Sequence, residues 1–292
     1  MAAASFRFGI NMMSPGSRSE WAEKARHAEE LGFDVFAVPD HLGMPAPFPT
    51  LSVAAEATER IRLGTFVLNT PFYNPVLLAR DVAALDQFSG GRVELGLGAG
   101  YVKEEFDAAG IPMPSPGARV DHLEQTLLIM RKLYSDPGYQ PAPARPEGPS
   151  VLIAGSGNRL LRIAAQHADV VGLPGTTTPK SGPPNASTPD QLAERAEYVR
   201  GLLGDRGDQV ELNLLVWAVG TPSERAAVSE RVRRYLPGFT DDRIDTAPAV
   251  MVGTPQQIAD SVRECRDRYG ITYFTVLEPD LEKFGAVIEL LK

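Results

Sequence analysis

Short apolar runs alternate along this chain with longer stretches whose apolar residues recur at helical spacing. The runs fall at 6–10, 35–38, 63–68, 93–97, 151–154, 170–173, 212–219 and 273–277. They are rich in Val, Ile, Phe and Leu and alternate little with polar residues, as parallel strands covered on both faces do. The stretches between them carry explicit helix signals. Ser17 and Glu20 are spaced as a capping box, after which Trp21, Ala25, Ala28 and Leu31 recur on one face until Gly32. Asn74-Pro75 reads as N-cap and first helical residue, and Gly90-Gly91 closes that helix. Thr188-Pro-Asp-Gln191, Thr221-Pro-Ser-Glu224 and Thr254-Pro-Gln-Gln257 open three later helices with one phrase. In each, Thr caps, Pro fits the first turn and the amide or carboxylate reaches back.

Eight strand–helix units in 292 residues predict a closed (β/α)8 barrel of the TIM type, an α/β fold spanning 1–292 as a single domain. The competing doubly wound sheet usually carries a glycine-rich turn after its first strand, and here that turn is Asn11-Met-Met-Ser-Pro-Gly16. A ninth apolar run, 249–252, is short and follows Pro248, so it is expected as a buried loop. Irregular insertions near 102–116 and 174–189 follow strands and lie on the face where barrel enzymes keep their sites. The second, rich in Gly, Pro, Ser and Thr, is a candidate lid. The proline-rich stretch 136–149 follows a helix and reads as a connector on the opposite face.

Composition narrows the function classes. Thirty-seven acidic against 29 basic residues, a net charge of −8 and no basic run argue against nucleic acid. No apolar run approaches the roughly 20 residues that span a bilayer, and no charged segment followed by an apolar core opens the chain. A cytoplasmic location without membrane attachment is expected. Cys265, the only cysteine, falls in a predicted helix over 258–269 and is expected as a small buried side chain rather than a reactive thiol. Of the four histidines, His27, His122 and His167 sit in predicted outer helices and only His41 at a strand end, so no metal site is expected.

Strand C-termini in a barrel face one mouth and can be read in order: Asn11; Asp40-His41; Asn69-Thr70; Gly98-Ala99-Gly100-Tyr101; Ala154-Gly155-Ser156-Gly157-Asn158; Gly172; Glu278. Asp40-His41 is the pair with acid–base capacity, an imidazole titrating near neutrality; both residues equally suit capping of the following loop. Gly155–Asn158 opens a helix directly after a strand, where free amides and the helix dipole attract a phosphate, and Arg159 can add charge; a tight turn alone asks for the same glycines. Gly96, Gly98 and Gly100 leave either a flat surface for a planar ring or room for close packing.

These residues resemble a known group. Leu63-Gly-Thr-Phe-Val-Leu-Asn-Thr-Pro-Phe-Tyr-Asn-Pro75, Ser89-Gly-Gly-Arg-Val-Glu-Leu-Gly-Leu-Gly-Ala-Gly100, Gly32-Phe-Asp34, Asp40-His41 and Val252-Gly-Thr-Pro-Gln-Gln-Ile258 are similar to the luciferase-like monooxygenase superfamily, in order and over nearly the whole chain. Its members are (β/α)8 barrels that bind FMN or the deazaflavin F420, and Asp40-His41, the Tyr73-Asn-Pro75 phrase and the compact size resemble the F420-dependent oxidoreductase branch. The resemblance implies a cis peptide at Phe66–Val67 against the deazaflavin ring. It also implies a cofactor site of Asn11, Asp40, Phe66, Val67, Asn69, Gly98, Ala99, Gly100, Ala154, Gly155, Ser156, Gly157, Asn158 and Gly172, and a homodimer. Met44 and Tyr101 depart from the deazaflavin sugar-phosphate dehydrogenases, which carry tryptophan near the first position and glutamate at the second, so glucose 6-phosphate is not the expected substrate. The expectation is hydride transfer between F420 and a small organic C=C, C=N or C=O substrate, with His41, Asp40 and Tyr101 as catalytic candidates. A two-component FMN monooxygenase and a non-catalytic flavin-binding protein are the alternatives.

Overall fold

Eight parallel strand positions close into a ring. In chain order the strands are β1 (Arg7–Asn11), β2 (Val35–Val38), β3 (Arg62–Thr65) with its continuation β4 (Leu68–Asn69), β5 (Val93–Gly98), β6 (Ser150–Ala154), β7 (Val170–Leu173), β8 (Thr176–Thr177), β9 (Asn185–Ala186), β10 (Glu211–Val216), β11 (Ala218–Gly220), β12 (Val250–Val252) and β13 (Ile271–Leu277). The barrel runs β3-β2-β1-β13-β10-β7-β6-β5, and a β3–β5 pairing closes it. The computed structural model describes residues 5–178 and 182–292. The first four residues and the tip of the 174–189 insertion therefore lie outside the described residues.

The helices are α1 (Arg18–Glu30), α2 (Pro47–Ala57), α3 (Pro75–Phe88), α4 (Lys103–Ala109), α5 (Pro116–Tyr134), α6 (Asn158–His167), α7 (Pro189–Leu203), α8 (Arg225–Tyr235), α9 (Pro255–Tyr269) and α10 (Leu281–Ile288). The capping boxes form at Ser17, Thr188 and Thr254, and the Asn74 side chain accepts from Val76 and Leu77 amides. At Thr221 the box opens a 3-10 turn, and α8 begins only at Arg225. Cys265 is buried on the inner face of α9, where burial pushes its thiol up to about 12.

Two apolar layers result. The larger packs strands against the outer helices. The smaller lies inside the barrel, where Val35, Ala37, Leu152, Val170 and Tyr273 meet Phe66 and Val67. At the N-terminal end the Tyr273 hydroxyl donates to Glu94 at 2.9 Å, and Arg7 bonds the same carboxylate at 2.6 Å, so a charged plug seals the barrel floor.

Five sequence expectations change. The run 63–68 is two strands, broken at Phe66–Val67, whose peptide is cis as the resemblance implied. The run 212–219 leaves the barrel at Trp217, and its end, β11, pairs with β12 in a separate two-stranded parallel sheet. The 249–252 run, expected as a loop, is therefore largely that strand. Val250 and Met251 are buried there, and with Pro248 outside the pairing its missing amide costs nothing. The insertion 102–116 contains α4, a helix of seven residues held by an i,i+4 Lys103–Asp107 pair and by buried Phe106. The described part of 174–189 is a small antiparallel hairpin, β8 with β9, whose base is tied down: Trp217 donates to the Pro174 carbonyl at 2.8 Å and Arg243 to that of Ala186 at 2.7 Å.

Candidate active site

The break between β3 and β4 organises the C-terminal mouth. Where the strand leaves the regular ladder, side chains replace lost backbone pairing. The Thr65 hydroxyl donates to the Gly96 carbonyl at 2.8 Å and accepts from its amide at 2.9 Å, and the Thr70 hydroxyl donates to the Gly98 carbonyl at 2.8 Å. The glycines of β5 make this approach sterically feasible. A Cβ on Gly96 would lie 1.9 Å from the Thr65 carbonyl oxygen, and one on Gly98 would lie 2.6 Å from Val67 Cγ2. A Cβ on Gly100, whose φ is +70°, would lie 2.2 Å from Asn69 Oδ1. Of the two sequence readings, close packing accounts for these glycines, and what they admit is the neighbouring strand. Gly172 has the same explanation: its Cβ would sit 2.7 Å from that of Ala154 inside the barrel.

Asp40 ties the end of β2 to the end of β4, its carboxylate accepting from the Asn69 amide at 2.9 Å with the Tyr73 hydroxyl close by. Burial raises the Asp40 carboxyl above its ordinary value, against the opposing pull of those donors and of His41. Asn11 donates to the Phe66 carbonyl at 3.5 Å. The side-chain oxygens of Asn11 and Asn69 are buried at the ends of β1 and β4 without a protein partner. A buried acceptor left unbonded costs about 1–3 kcal/mol, so two at one mouth point to a ligand or water donor.

His41 sits beside Asp40, its ring 6.0 Å from that of Tyr101 in an edge arrangement, and Tyr101 is 75% exposed at the rim. His41 Nδ1 lies 2.8 Å from Oε1 of Glu105, a residue of α4 that the sequence reading did not single out. Its signal was weak: one carboxylate in an acidic segment read as loop. Two further residues were missed. Arg119 of α5 donates to the Gly100 carbonyl at 3.0 Å and to that of Pro114 at 2.6 Å, clamping the turn after β5. His122, assigned to the outer ring, turns inward, with Nε2 3.1 Å from the Thr70 carbonyl and 3.2 Å from that of Tyr73. Glu278, at the end of β13, accepts from the Met13 and Ser14 amides at 2.7 and 2.6 Å and from Lys24 at 2.6 Å, pinning the loop after β1.

On the other side of the mouth, Ser156, Gly157 and Asn158 are exposed where α6 begins. Gly157 is the N-cap and supplies no side-chain acceptor, so the first amides of α6 remain open to an anion. Gly155 is different: a Cβ there would strike Leu160 at 2.3 Å, so it serves the turn. Arg159 is engaged with Asp121, and Arg195 donates to Asn158 Oδ1 at 2.7 Å. Among the described residues, no group of three or more His, Cys, Asp and Glu side chains is placed to hold a metal, and no helix is long and apolar enough to cross a membrane.

Residues 2–200 match the family model described as luciferase-like monooxygenase. The chain belongs to this family. Among its relatives, the F420-dependent glucose-6-phosphate dehydrogenase of Intrasporangium calvum is 35% identical over 128 residues, covering 40% of this chain and 38% of that protein. The 5,10-methylenetetrahydromethanopterin reductase of Methanolobus tindarius is 38% identical over 109 residues, covering 37% and 33%. The matches thus span well under half the length of these relatives. In fold, an F420-dependent secondary alcohol dehydrogenase solved with an F420–acetone adduct superposes with a TM-score of 0.76 at 19% identity, covering 99% of this chain and 98% of that one. The barrel fold is therefore shared over essentially the whole chain, and the family match covers residues 2–200.

Proposed function

We propose that this protein is an F420-dependent oxidoreductase of the luciferase-like family, acting as one cytoplasmic barrel domain on a small organic substrate. The single observation that carries the reading is the mouth itself. Two unpartnered amide oxygens, Asn11 and Asn69, an acid–base pair, Asp40 and His41, and an uncapped helix N-terminus at Gly157 open on one face. That donor and acceptor set fits a planar ring with hydrogen-bonding edges and a phosphate-bearing tail, and the F420-dependent relatives support the deazaflavin.

In this reading Phe66, Val67 and the Gly98–Ala99–Gly100 turn would back the ring. Asn11, Asp40 and Asn69 would meet its polar edge. Ala154, Gly155, Ser156, Gly157 and Asn158 would hold the phosphate, with Gly172 making room for Ala154 beside them. F420 supplies two-electron hydride exchange with a C=C, C=N or C=O substrate. His41 would give or take the accompanying proton, half-buried Asp40 would orient ring and substrate, and exposed Tyr101 would close the rim over His41. With Met44 near the position where sugar-phosphate dehydrogenases carry tryptophan, and Tyr101 where they carry glutamate, glucose 6-phosphate is not the substrate proposed. A homodimer is included in the proposal, with α3 presenting Val76, Leu77 and Phe88 to solvent as candidate contacts.

Titration of the protein with F420 and with FMN, followed by fluorescence quenching, tests the assignment. Micromolar binding of F420 with weaker FMN is expected. Tight FMN binding with oxygen uptake from reduced flavin would instead identify a two-component monooxygenase. Sedimentation velocity tests the dimer.

A further inference from the structure

The His41–Glu105 contact carries more information than a second acidic neighbour. Glu105 lies in the middle of α4, and the next residue, fully buried Phe106, packs edge-on against Phe72 with centroids 4.9 Å apart. Phe72 belongs to the 3-10 turn that follows β4, so the helix is anchored to the wall of the mouth and Glu105 is presented to His41 from a fixed base. The Glu105 side chain retains only 13% of its exposure, and the imidazole 30%. An ionised carboxylate only accepts hydrogen bonds, so at 2.8 Å His41 Nδ1 must be the donor. Nε2 has no hydrogen-bond partner among the described residues.

We propose that Glu105 is a positioning residue that holds neutral His41 in its Nδ1–H tautomer, leaving the Nε2 lone pair as the atom that exchanges a proton with substrate. Free imidazole side chains favour the opposite, Nε2–H form, in which the nitrogen not engaged by Glu105 could not accept a proton. The carboxylate thus decides which nitrogen is chemically active, as an orienting acid does in other base–carboxylate pairs. Asp40 does not take this role: its carboxylate accepts from the Asn69 amide and faces the Tyr73 hydroxyl, whereas the His41 Nδ1 contact is with Glu105. Tyr101 meets the imidazole through its ring and limits rotation without choosing a nitrogen. The statement about the substrate proton rests on the function proposed above; the tautomer does not.

The test is made on the cofactor-free protein. Long-range 1H–15N correlation spectra of 15N-labelled protein, at a pH where His41 is neutral, report which ring nitrogen carries hydrogen, and His41→Gln assigns the signal among the four histidines. Wild type is expected to show protonated Nδ1 and bare Nε2, and Glu105→Ala to revert to the Nε2–H form. Wild type already in the Nε2–H form, or a tautomer unchanged in Glu105→Ala, overturns the proposal. The wild-type spectrum alone decides the first point, so a poorly folded variant does not leave the matter open. With F420 bound, Glu105→Ala should lower kcat by roughly 10- to 100-fold, a part of the effect typical of a positioned acid–base group, with F420 affinity unchanged. F420 that does not bind refutes the proposed function and leaves the tautomer result standing.

Discussion

Gly96→Ala is the sharpest test of how the mouth is built. A methyl there would sit 1.9 Å from the Thr65 carbonyl oxygen, far inside van der Waals contact, and the obstacle is backbone rather than a mobile side chain. Relief requires the end of β3 to move away from β5. That movement stretches both hydrogen bonds between the Thr65 hydroxyl and Gly96, at 2.8 and 2.9 Å. Overpacking of this kind costs roughly 1–3 kcal/mol, and two neutral hydrogen bonds contribute about 0.5–1.5 kcal/mol each, so the expected loss is about 2–6 kcal/mol. The control is Gly201→Ala. Gly201 lies in α7, where a Cβ meets nothing within 4 Å, so the substitution should leave stability unchanged or raise it by up to about 1 kcal/mol through helix propensity alone. Urea unfolding followed by circular dichroism measures both. Equal midpoints for Gly96→Ala and wild type would refute the claim that the β5 glycines exist to admit the broken strand.

Three other outcomes follow from the charges and the thiol. Burial pushes the Glu278 carboxyl up, but Lys24 and the Met13 and Ser14 amides outweigh it and hold it below the ordinary range. Its stabilising contribution is therefore present above the usual carboxylate pKa and lost as pH falls through the lowered value. Glu278→Gln should cost roughly 1.5–3 kcal/mol at neutral pH, with the gap to wild type closing in acid, as read by unfolding at several pH values. Arg231 bonds both oxygens of fully buried Asp280, at 2.7 and 2.9 Å, and joins α8 to the barrel. Arg231→Met should cost about 3–5 kcal/mol, with Asp280→Asn restoring part of it, and the penalty should grow with pH because burial already raises the Asp280 carboxyl. Additive losses in the double variant would contradict the pairing. Cys265 should resist Ellman's reagent in the native protein and react fully in guanidinium; rapid native labelling would show that α9 opens.

The barrel was legible because its signal repeats. Each of the eight barrel strands is buried on both faces and each Thr-Pro phrase caps through local bonds, so a window of a dozen residues suffices to recognise them. Elements that depend on distant partners were not legible in that way. β12 is three residues long and becomes a strand only because β11 lies beside it. The helix α4 has seven residues and one buried side chain, so its existence depends on Phe72, 34 positions earlier in the chain, more than on its own propensity. Glu105 was missed for this reason: a carboxylate gains meaning only once the helix that carries it is known to reach His41.

The same distinction separates the glycines of the mouth into two kinds. Gly96, Gly98, Gly100, Gly155 and Gly172 are all glycines for the protein's own sake, since a Cβ at each would collide with a strand, an amide or a helix side chain. Gly157 has nothing within 4 Å of its missing Cβ, yet it stands where a Ser, Thr, Asp or Asn would cap α6. A residue that forgoes a stabilising cap without a steric reason leaves the first-turn amides for something outside the chain. Gly157→Asp separates the two cases. If the position is merely tolerant, the new carboxylate caps α6 and stability rises by a few tenths of a kcal/mol to about 1 kcal/mol, with F420 affinity unchanged. If those amides receive the cofactor phosphate, stability rises just the same while F420 affinity falls at least tenfold, because one anion occupies the place of another. Thermal unfolding and an F420 titration on the same variant read both quantities, and a stabilised protein with undiminished affinity would remove α6 from the cofactor site.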